Sequence, residues 1–476
     1  MSEARGAPEN SAWTFTAYGY GLLVSALVGY FLLGLPVQLT DSFSLIAAVQ
    51  NQPLPDVIGA QFHQAGYLRP FLWGQTKIAY ELAGGEYYWM FRGLHAVQVA
   101  VLVFLFIRLL RPHTAVDVAL VPLAVAMLVG SHTFQGTVRE AFPINTFLTI
   151  LICCVLAANL AFAAHRWWVD LAACALFVFA ALTVESGLLV WVVIAGAWLL
   201  GARGVSRNGA AAVTALLVAY FVLRFAVLDV GSPGLIERAS GYGFTYYDRQ
   251  ELVERFGDRR AAFYAYNVGA SILSVLFAEP RGGIWTLTRS LVADGEPRLS
   301  LTVNVVASTL STVIIGAFAW RRRGDWRERR LDRDDRIVLL FGGVLVANAV
   351  ISYPYTKDVI MSPAGVFAAA AAFVATRDLV ARAAAHRGLR QAPVLLLGLV
   401  LACAWTIRAG GTLVGLRHQT YNVRSDWVGF DEWVRERRLA FGPDAMQLKE
   451  VLRRDAIARV PPSTPVGDWL QVFDID

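Results

Sequence analysis

Long stretches without a charge limit this chain more than any other feature. No Asp, Glu, Lys or Arg stands between Glu9 and Asp41, between Glu140 and Arg166, between Arg298 and Arg321, or between Arg336 and Lys357. A helix crosses the hydrocarbon layer with about 17–25 apolar residues. Lipid offers the backbone no hydrogen bonds, so such a segment must satisfy its own as a helix. Composition agrees: 56% of residues are hydrophobic and 16% charged, with mean hydropathy +0.50, whereas soluble chains carry about a quarter charged residues. The expected fold class is an all-α polytopic membrane protein whose first partner is the lipid bilayer. The net charge of +6 is not a nucleic-acid signal, because the arginines gather beside apolar segments as membrane anchors do. Cys153, Cys154, Cys174 and Cys403 lie in apolar runs with no zinc or disulfide spacing, and read as small packing residues. The first apolar run is long, is preceded by Glu3 and Glu9 and is followed by no A-x-A-like site, so it reads as an anchor.

Spans are expected near residues 14–35, 93–110, 115–130, 144–164, 169–184, 187–200, 210–228, 299–320, 337–352, 361–376 and 393–407. Arginines crowd the connectors 321–336 and 377–390, and short Arg-rich connectors belong in the cytoplasm. Both can lie there only if the apolar piece 261–278 is interfacial or re-entrant rather than a span. The count is then about eleven spans, with the N-terminus inside and the C-terminus outside. Outer loops are expected at 37–92, 131–143 and 229–298, with a transmembrane domain over 1–407 and an extracytoplasmic helical tail over 408–476. Trp427, Phe430, Trp433 and Val434 repeat at helical spacing in that tail, as an amphipathic helix on the membrane or on the outer loops would. The alanine run 368–372 reads as a face on which two spans pack closely.

The loop 37–92 is too broken by Pro53, Pro55 and Pro70 to cross a membrane and too aromatic to be idle. Asp41 follows the first span, where it suits a general base and equally a helix cap. Arg69 precedes Pro70, and proline fits the first turn of a helix. Phe71, Ile78 and Leu82, with Leu72 and Ala79, then form one apolar face of an amphipathic helix. Its N-terminal N–H groups and the Arg69 guanidinium suit a phosphate, and a snorkelling Arg69 is the plainer alternative. Arg92 opens the second span as a further phosphate ligand or an anchor. His63 lies in the same loop.

A polar segment follows the third span, with His132, Arg139 and Glu140. Ionisable residues at membrane depth are functional candidates by default, and an ion pair closing the turn is the structural alternative. Glu185 heads the sixth span, at the rim of the same outer face. Lys357 lies in a late turn, where it can contact a phosphate or pair with Asp358. Tyr246 and Tyr247 suit stacking on a sugar, or belong to the aromatic belt. No nucleotide-binding, nucleophile-elbow or zinc motif occurs.

Taken in order, these features resemble the GT-C superfamily of integral membrane glycosyltransferases, in particular the branch of protein O-mannosyltransferases and aminoarabinose transferases. That branch has an acid just after the first span, matched by Asp41. It has a basic residue followed by proline and leucine, matched by Arg69-Pro70-Phe71-Leu72 with Trp73 after. It has an arginine opening the second span, matched by Arg92, and an acid after the third, matched by Glu140. Glu185 matches the acid of a Lys-Glu pair in related sequences, with Val184 where the lysine would stand. The resemblance covers roughly the first 200 residues. It departs in having one acid in the first loop and one proline after Arg69.

The resemblance implies a bacterial inner-membrane enzyme working on the extracytoplasmic face. A polyprenyl-phosphate sugar would be the donor, and a glycan, lipid or protein the acceptor. Asp41 would be the base, with help from Glu140, and inversion would follow. Arg69, Arg92, Arg139 and Lys357 would hold the donor phosphate. His63, His132, Glu185, Tyr246 and Tyr247 would line the cavity. No cofactor is required, although the acids leave room for a divalent cation such as Mg or Mn. An O-antigen-type polymerase or ligase and a lipid-linked saccharide transporter are the alternatives.

Overall fold

The computed structural model describes residues 11–63, 67–139, 145–229, 248–257, 259–295, 298–353, 356–385, 391–436 and 441–462. Every regular element among them is a helix. In chain order they are α1 (Ser11–Gly34), α2 (Ser44–Val49), α3 (Leu54–Ala60), α4 (Pro70–Ala83), α5 (Tyr87–Leu110), α6 (Ala115–Gly130) and α7 (His132–Arg139). Next come α8 (Thr146–Ala161), α9 (Trp167–Ala181), α10 (Leu189–Leu199), α11 (Arg207–Phe221), α12 (Arg249–Phe256), α13 (Arg260–Phe277) and α14 (Ile284–Asp294). The last are α15 (Leu299–Arg327), α16 (Arg333–Ile351), α17 (Ser362–Ala385), α18 (Gln391–Val428), α19 (Phe430–Glu436) and α20 (Pro443–Arg459). Among the described residues six helices are long and apolar enough to cross a membrane, or seven if α6 and α7, bent by 58°, form one broken span. Four shorter apolar helices accompany them. The chain is therefore a helical, multi-pass membrane protein.

α17 is the hub. Its alanines Ala369, Ala370, Ala371 and Ala372 are buried, and 89% of its apolar window lies inside the protein, against 17% for α18. Small side chains let neighbouring backbones come close where lipid gives no hydrophobic drive to associate. The expected small-residue packing face is thus the inner wall of the bundle.

One end of the bundle is knotted by arginines. Asp335 is wholly buried and accepts from Arg322 Nε (2.8 Å), Arg322 Nη2 (2.6 Å) and Trp326 Nε1 (2.8 Å). It also closes a capping box with Asp332 at the start of α16. Arg377 of α17 bridges Asp117 at the start of α6 (3.3 Å) and Asp334 (2.5 Å). Arg333 donates to the Leu109 carbonyl at the end of α5 (2.5 Å). These contacts bring the ends of α5 and α15 beside the starts of α6 and α16, so successive helices run in opposite directions.

The other end carries the loops. Trp427 near the top of α18 donates to the Val37 carbonyl (2.7 Å). Phe43 stands edge-on to Trp427, Phe430 and Phe441, with centroids 5.8, 5.5 and 5.0 Å away. The aromatic spacing of the tail therefore serves the outer loop, as the core of a cap closed by α19 and α20. α13 enters from this end. Asn267 donates to the Tyr353 carbonyl (2.9 Å) just past α16, and the Leu276 carbonyl accepts from Thr312 well inside α15. The turn 278–283 then brings Gly282 against Asn304 near the start of α15.

Two expectations need correction. α18 runs unbroken from Gln391 to Val428, so no boundary falls at 407; Arg408 sits mid-helix instead of ending a span. In α4 the expected apolar face divides. Leu72, Ala79 and Ala83 are buried, whereas Ile78 and Leu82 point outward at 45% and 70% exposure. An apolar stripe marks a face shielded from water, and on a membrane-bound helix lipid shields as well as protein does.

The buried Arg322–Asp335 pair sets a test. Breaking such a pair by removing one partner costs about 3–5 kcal/mol. Asp335→Ala is expected to lower the unfolding temperature in detergent markedly, while Asp56→Ala at an exposed site leaves it within error.

Candidate functional site

The break between α6 and α7 shapes a strongly cationic hollow. Gly130 ends α6 directly against α18: a Cβ there would lie 2.8 Å from the Ala409 amide nitrogen and 3.0 Å from Arg408 Cβ. Thr412 of α18 donates to the Val129 carbonyl (2.8 Å), supplying a partner to a helix end that would otherwise lack one. α7 then leaves at an angle, and the space beside it is a cavity of about 200 Å³.

Four elements bring charge to that cavity. Arg139 comes from the end of α7, Arg408 from α18 and Arg281 from the turn after α13, while His132 and Asp358 face each other across it. Gly415 makes room for Arg139, since a Cβ there would fall 1.8 Å from Nη2. Arg408 lies flat over Trp405, 4.4 Å from the ring centroid, a cation–π contact that steers the guanidinium without using its N–H donors. Arg281 pairs with Asp358 (2.9 Å), and His132 Nε2 is 4.0 Å from the same carboxylate. Arg139 Nε, Arg408 Nη1 and His132 Nε2 are buried without a hydrogen-bond partner. Buried polar atoms are normally paired, and two orphaned guanidinium donors aimed at one hollow are what an anion would satisfy.

Charge balance favours the same ligand. Three guanidiniums and one carboxylate line the cavity, a local excess of +2 that suits an anion. The donor set does not suit Mg or Mn, which need several unpaired oxygen ligands, because Asp358 is held by Arg281. Among the described residues no group of three or more His, Cys, Asp or Glu side chains gathers.

The residues singled out in the sequence scatter over several places. His132 and Arg139 line the cavity. Arg69 instead meets Glu185 (Nε–Oε2 3.0 Å), and Glu185 also faces buried Arg224 (3.4 Å), itself bonded to the Tyr220 hydroxyl (2.9 Å). That cluster docks α4 on the end of α9, where the Phe71 N–H donates to the Leu182 carbonyl (3.1 Å). Arg92 is buried and donates to the carbonyls of Leu35 (2.8 Å) and Pro36 (2.5 Å), with His95 Nδ1 at 3.1 Å. It closes the end of α1. Asp41 lies exposed in a π-helical turn before α2, which carries no side-chain cap. Its neighbour Val37 is fixed to Trp427, 19 residues beyond Arg408 along α18, which is about 29 Å at 1.5 Å per residue. Lys357 stands over the Phe147 ring at 5.9 Å, next to the cavity without lining it. His63 is exposed after α3. Glu140, Tyr246 and Tyr247 lie outside the described residues.

Arg281, Asp358 and Arg408 carry the site without having been singled out. The available signal was the glycine series Gly410, Gly411 and Gly415 just past Arg408, since small residues on a membrane helix mark where another element crosses it.

Comparison of the chain with protein-family models, with curated proteins and with solved structures finds no match in any of the three.

The cluster around Glu185 can be told from a ligand site by removal. Glu185→Ala leaves Arg69 and Arg224 without their shared carboxylate and is expected to destabilise the protein by about 2–3 kcal/mol, discounted for partial exposure. Unchanged unfolding in detergent, with weaker binding of a lipid phosphate, would return Arg69 to the role expected from the sequence.

Proposed function

We propose that this chain is a membrane glycosyltransferase that takes a sugar from a polyprenyl-phosphate donor, with the donor phosphate held by Arg139, Arg281 and Arg408. The convergence of these three arginines on one hollow carries the reading. Their +2 excess matches a phosphate ester, and cations around the leaving phosphate stabilise the charge that develops as its bond to the sugar breaks. The arginine-knotted end belongs in the cytoplasm. On this reading the chain crosses a bacterial inner membrane about eleven times, α13 is re-entrant, and the cavity faces the extracytoplasmic side.

In the reaction the acceptor hydroxyl oxygen attacks the anomeric carbon from the side opposite the phosphate. The bond from that carbon to the phosphate oxygen breaks, and its electron pair leaves with the phosphate. The hydroxyl proton passes to a carboxylate, and the sugar is transferred with inversion. Asp41 does not line the cavity, whereas Asp358 does, and Asp358 is the base on this reading. Arg281, more than half exposed at 56%, is the arginine of the three that can turn toward an incoming phosphate.

The chamber beneath the cavity tells against carriage across the bundle. It measures about 40 Å³ and is lined by hydroxyls such as Ser274, Ser308 and Ser311, room for about three waters and none for a sugar.

Complementation tests the reading. In a strain lacking the gene, wild type is expected to restore one glycan sugar whose polyprenyl-phosphate donor otherwise accumulates. Asp358→Asn at equal membrane level should lower transfer by about 10²–10⁴-fold, the usual worth of a general base. Full restoration by Asp358→Asn with loss in Asp41→Asn would return the base to Asp41. No change in any glycan or lipid-linked sugar on deletion would end the transferase reading.

A further inference from the structure

Among the described residues, four arginines at the connector end are met by backbone carbonyls and by no carboxylate. Arg111 follows α5, Arg203 follows α10, and Arg333 and Arg336 stand in the first turn of α16. Arg111 Nη2 donates to the Phe162 carbonyl (3.1 Å) and Arg333 Nη2 to that of Leu109 (2.5 Å). Arg336 Nη2 donates to the Leu331 carbonyl (3.1 Å), and Arg203 Nη1 to those of Ala202 (3.2 Å) and Trp198 (3.4 Å). A carbonyl is neutral, so these bonds leave the charges standing. Each guanidinium has five N–H donors, and Arg333 Nε and Arg336 Nε are buried without a partner. The neighbouring carboxylates are engaged elsewhere: Asp334 with Arg377 (2.5 Å), Asp332 with Arg322 (3.0 Å), and Asp170 with the Ser206 N–H and hydroxyl (2.8 and 2.6 Å).

The four form two pairs. Arg333 stands over the Phe162 ring, 5.3 Å from its centroid, and the carbonyl of the same residue holds Arg111. Burial first, and then the like charge of Arg111, push the Arg333 pKa down to about 10, with Asp334 acting against them. The second pair meets at Gly201, where a Cβ would lie 3.5 Å from Arg336 Nη2, two residues before Arg203. Gly204 ties one pair to the other. Its N–H donates to the Ala161 carbonyl (3.0 Å), and a Cβ on it would fall 2.1 Å from the Leu160 carbonyl oxygen. The missing side chain lets the connector after α10 lie against the end of α8.

The surroundings are those of a bilayer boundary. Trp167 and Trp168, a few residues past Phe162, are exposed, and indole rings gather at the membrane–water interface. From Arg336 inward, α16 turns an apolar face outward: Gly343, Val346 and Val350 are exposed and follow Arg336 at helical spacing. Gly342 is exposed beside them, and a Cβ on either glycine would meet nothing within 4 Å. The helix surface is therefore shallow just below the arginines, with its backbone open to an acyl chain.

We infer that this rim binds an anionic phospholipid with two phosphates in its headgroup, of the cardiolipin class. One phosphate lies at Arg111 and Arg333, the other at Arg203 and Arg336, and an acyl chain follows the Gly342–Val350 face of α16. Basic pockets between membrane helices take such headgroups, and two cationic pairs on separate connectors match two phosphates on one lipid. The site shares no residue with the cavity at α7 and is independent of sugar transfer.

The test is native mass spectrometry of the delipidated full chain in detergent, with cardiolipin, phosphatidylglycerol and phosphatidylcholine offered at equal phosphate concentration. One cardiolipin is expected to be retained in preference to the other two lipids. Arg203→Gln, at an exposed position, should weaken its retention about tenfold, the effect of one hydrogen bond to a charged group. Arg333→Gln, in the other pair, should do the same. Arg333 also braces the end of α5, so Arg111→Gln reports on that pair if Arg333→Gln does not fold. Arg323→Gln removes an equal charge at the same end, from a side chain stacked on Trp320 (3.5 Å) outside the rim, and should leave retention unchanged.

Equal loss in Arg323→Gln would mean diffuse surface charge and overturn the site. Equal retention of phosphatidylglycerol overturns the two-phosphate assignment. Displacement of cardiolipin by inorganic pyrophosphate at equal concentration overturns the lipid as occupant. Unchanged retention in both Arg203→Gln and Arg111→Gln puts the lipid elsewhere and ends the proposal.

Discussion

The contact of Gly130 with α18 is the constraint on which the site depends. Two helices cannot meet at backbone distance if either carries a side chain at the crossing, and here the Ala409 amide nitrogen would be 2.8 Å from a Cβ on residue 130. That contact ends α6, lets Thr412 take up the Val129 carbonyl and sends α7 away at 58°. The angle opens the cavity and the same crossing delivers Arg408 to it. Gly415, two turns further along α18, repeats the device for the Arg139 guanidinium. A cationic hollow at membrane depth is thus held by absent side chains on two helices as much as by the arginines themselves.

Arginine is used in two ways in this bundle. At the connector end each of Arg321, Arg322 and Arg377 meets an aspartate, and Asp335 alone accepts two bonds from Arg322. Such pairs fix helix ends against one another and leave little charge to spare. At the loop end Arg139 and Arg408 reach a common space without a carboxylate of their own. Arginine keeps its charge even when buried, so the second arrangement persists only where an anion or water completes it.

What was readable in the sequence follows the reach of each signal. Helix positions came through because runs of apolar residues and the proline after Arg69 act locally. The apolar piece 261–278 came through as the helix α13, held by Asn267 and Leu276. The packing role of alanines 368–372 was also local. The site was only half readable. His132 and Arg139 stand out in a short polar segment, whereas Arg408 falls just past the span expected at 393–407 and is not marked by its neighbours. Arg139, Arg281 and Arg408 are far apart in the chain, and nothing local says that α18 will cross α6 at Gly130. Arg92 misled for a physical reason: Pro36 breaks α1 and leaves carbonyls without donors, and a buried arginine answers that need as readily as it would a phosphate.

Unequal helix length has its own outcome. α9 and α10 have 15 and 11 residues, or about 23 and 17 Å, beside α15 and α18 at 29 and 38 residues. The hydrocarbon core of a bilayer is about 30 Å thick; a shorter apolar helix is accommodated by local thinning and a longer one by tilting. Trp167 and Trp168 stand exposed at 76% and 44% at the start of α9, where indole rings mark a membrane–water boundary. The apolar helices of the bundle are therefore of uneven height, short at α9 and α10 and long at α15 and α18, so that its two sides offer unlike surfaces to their surroundings.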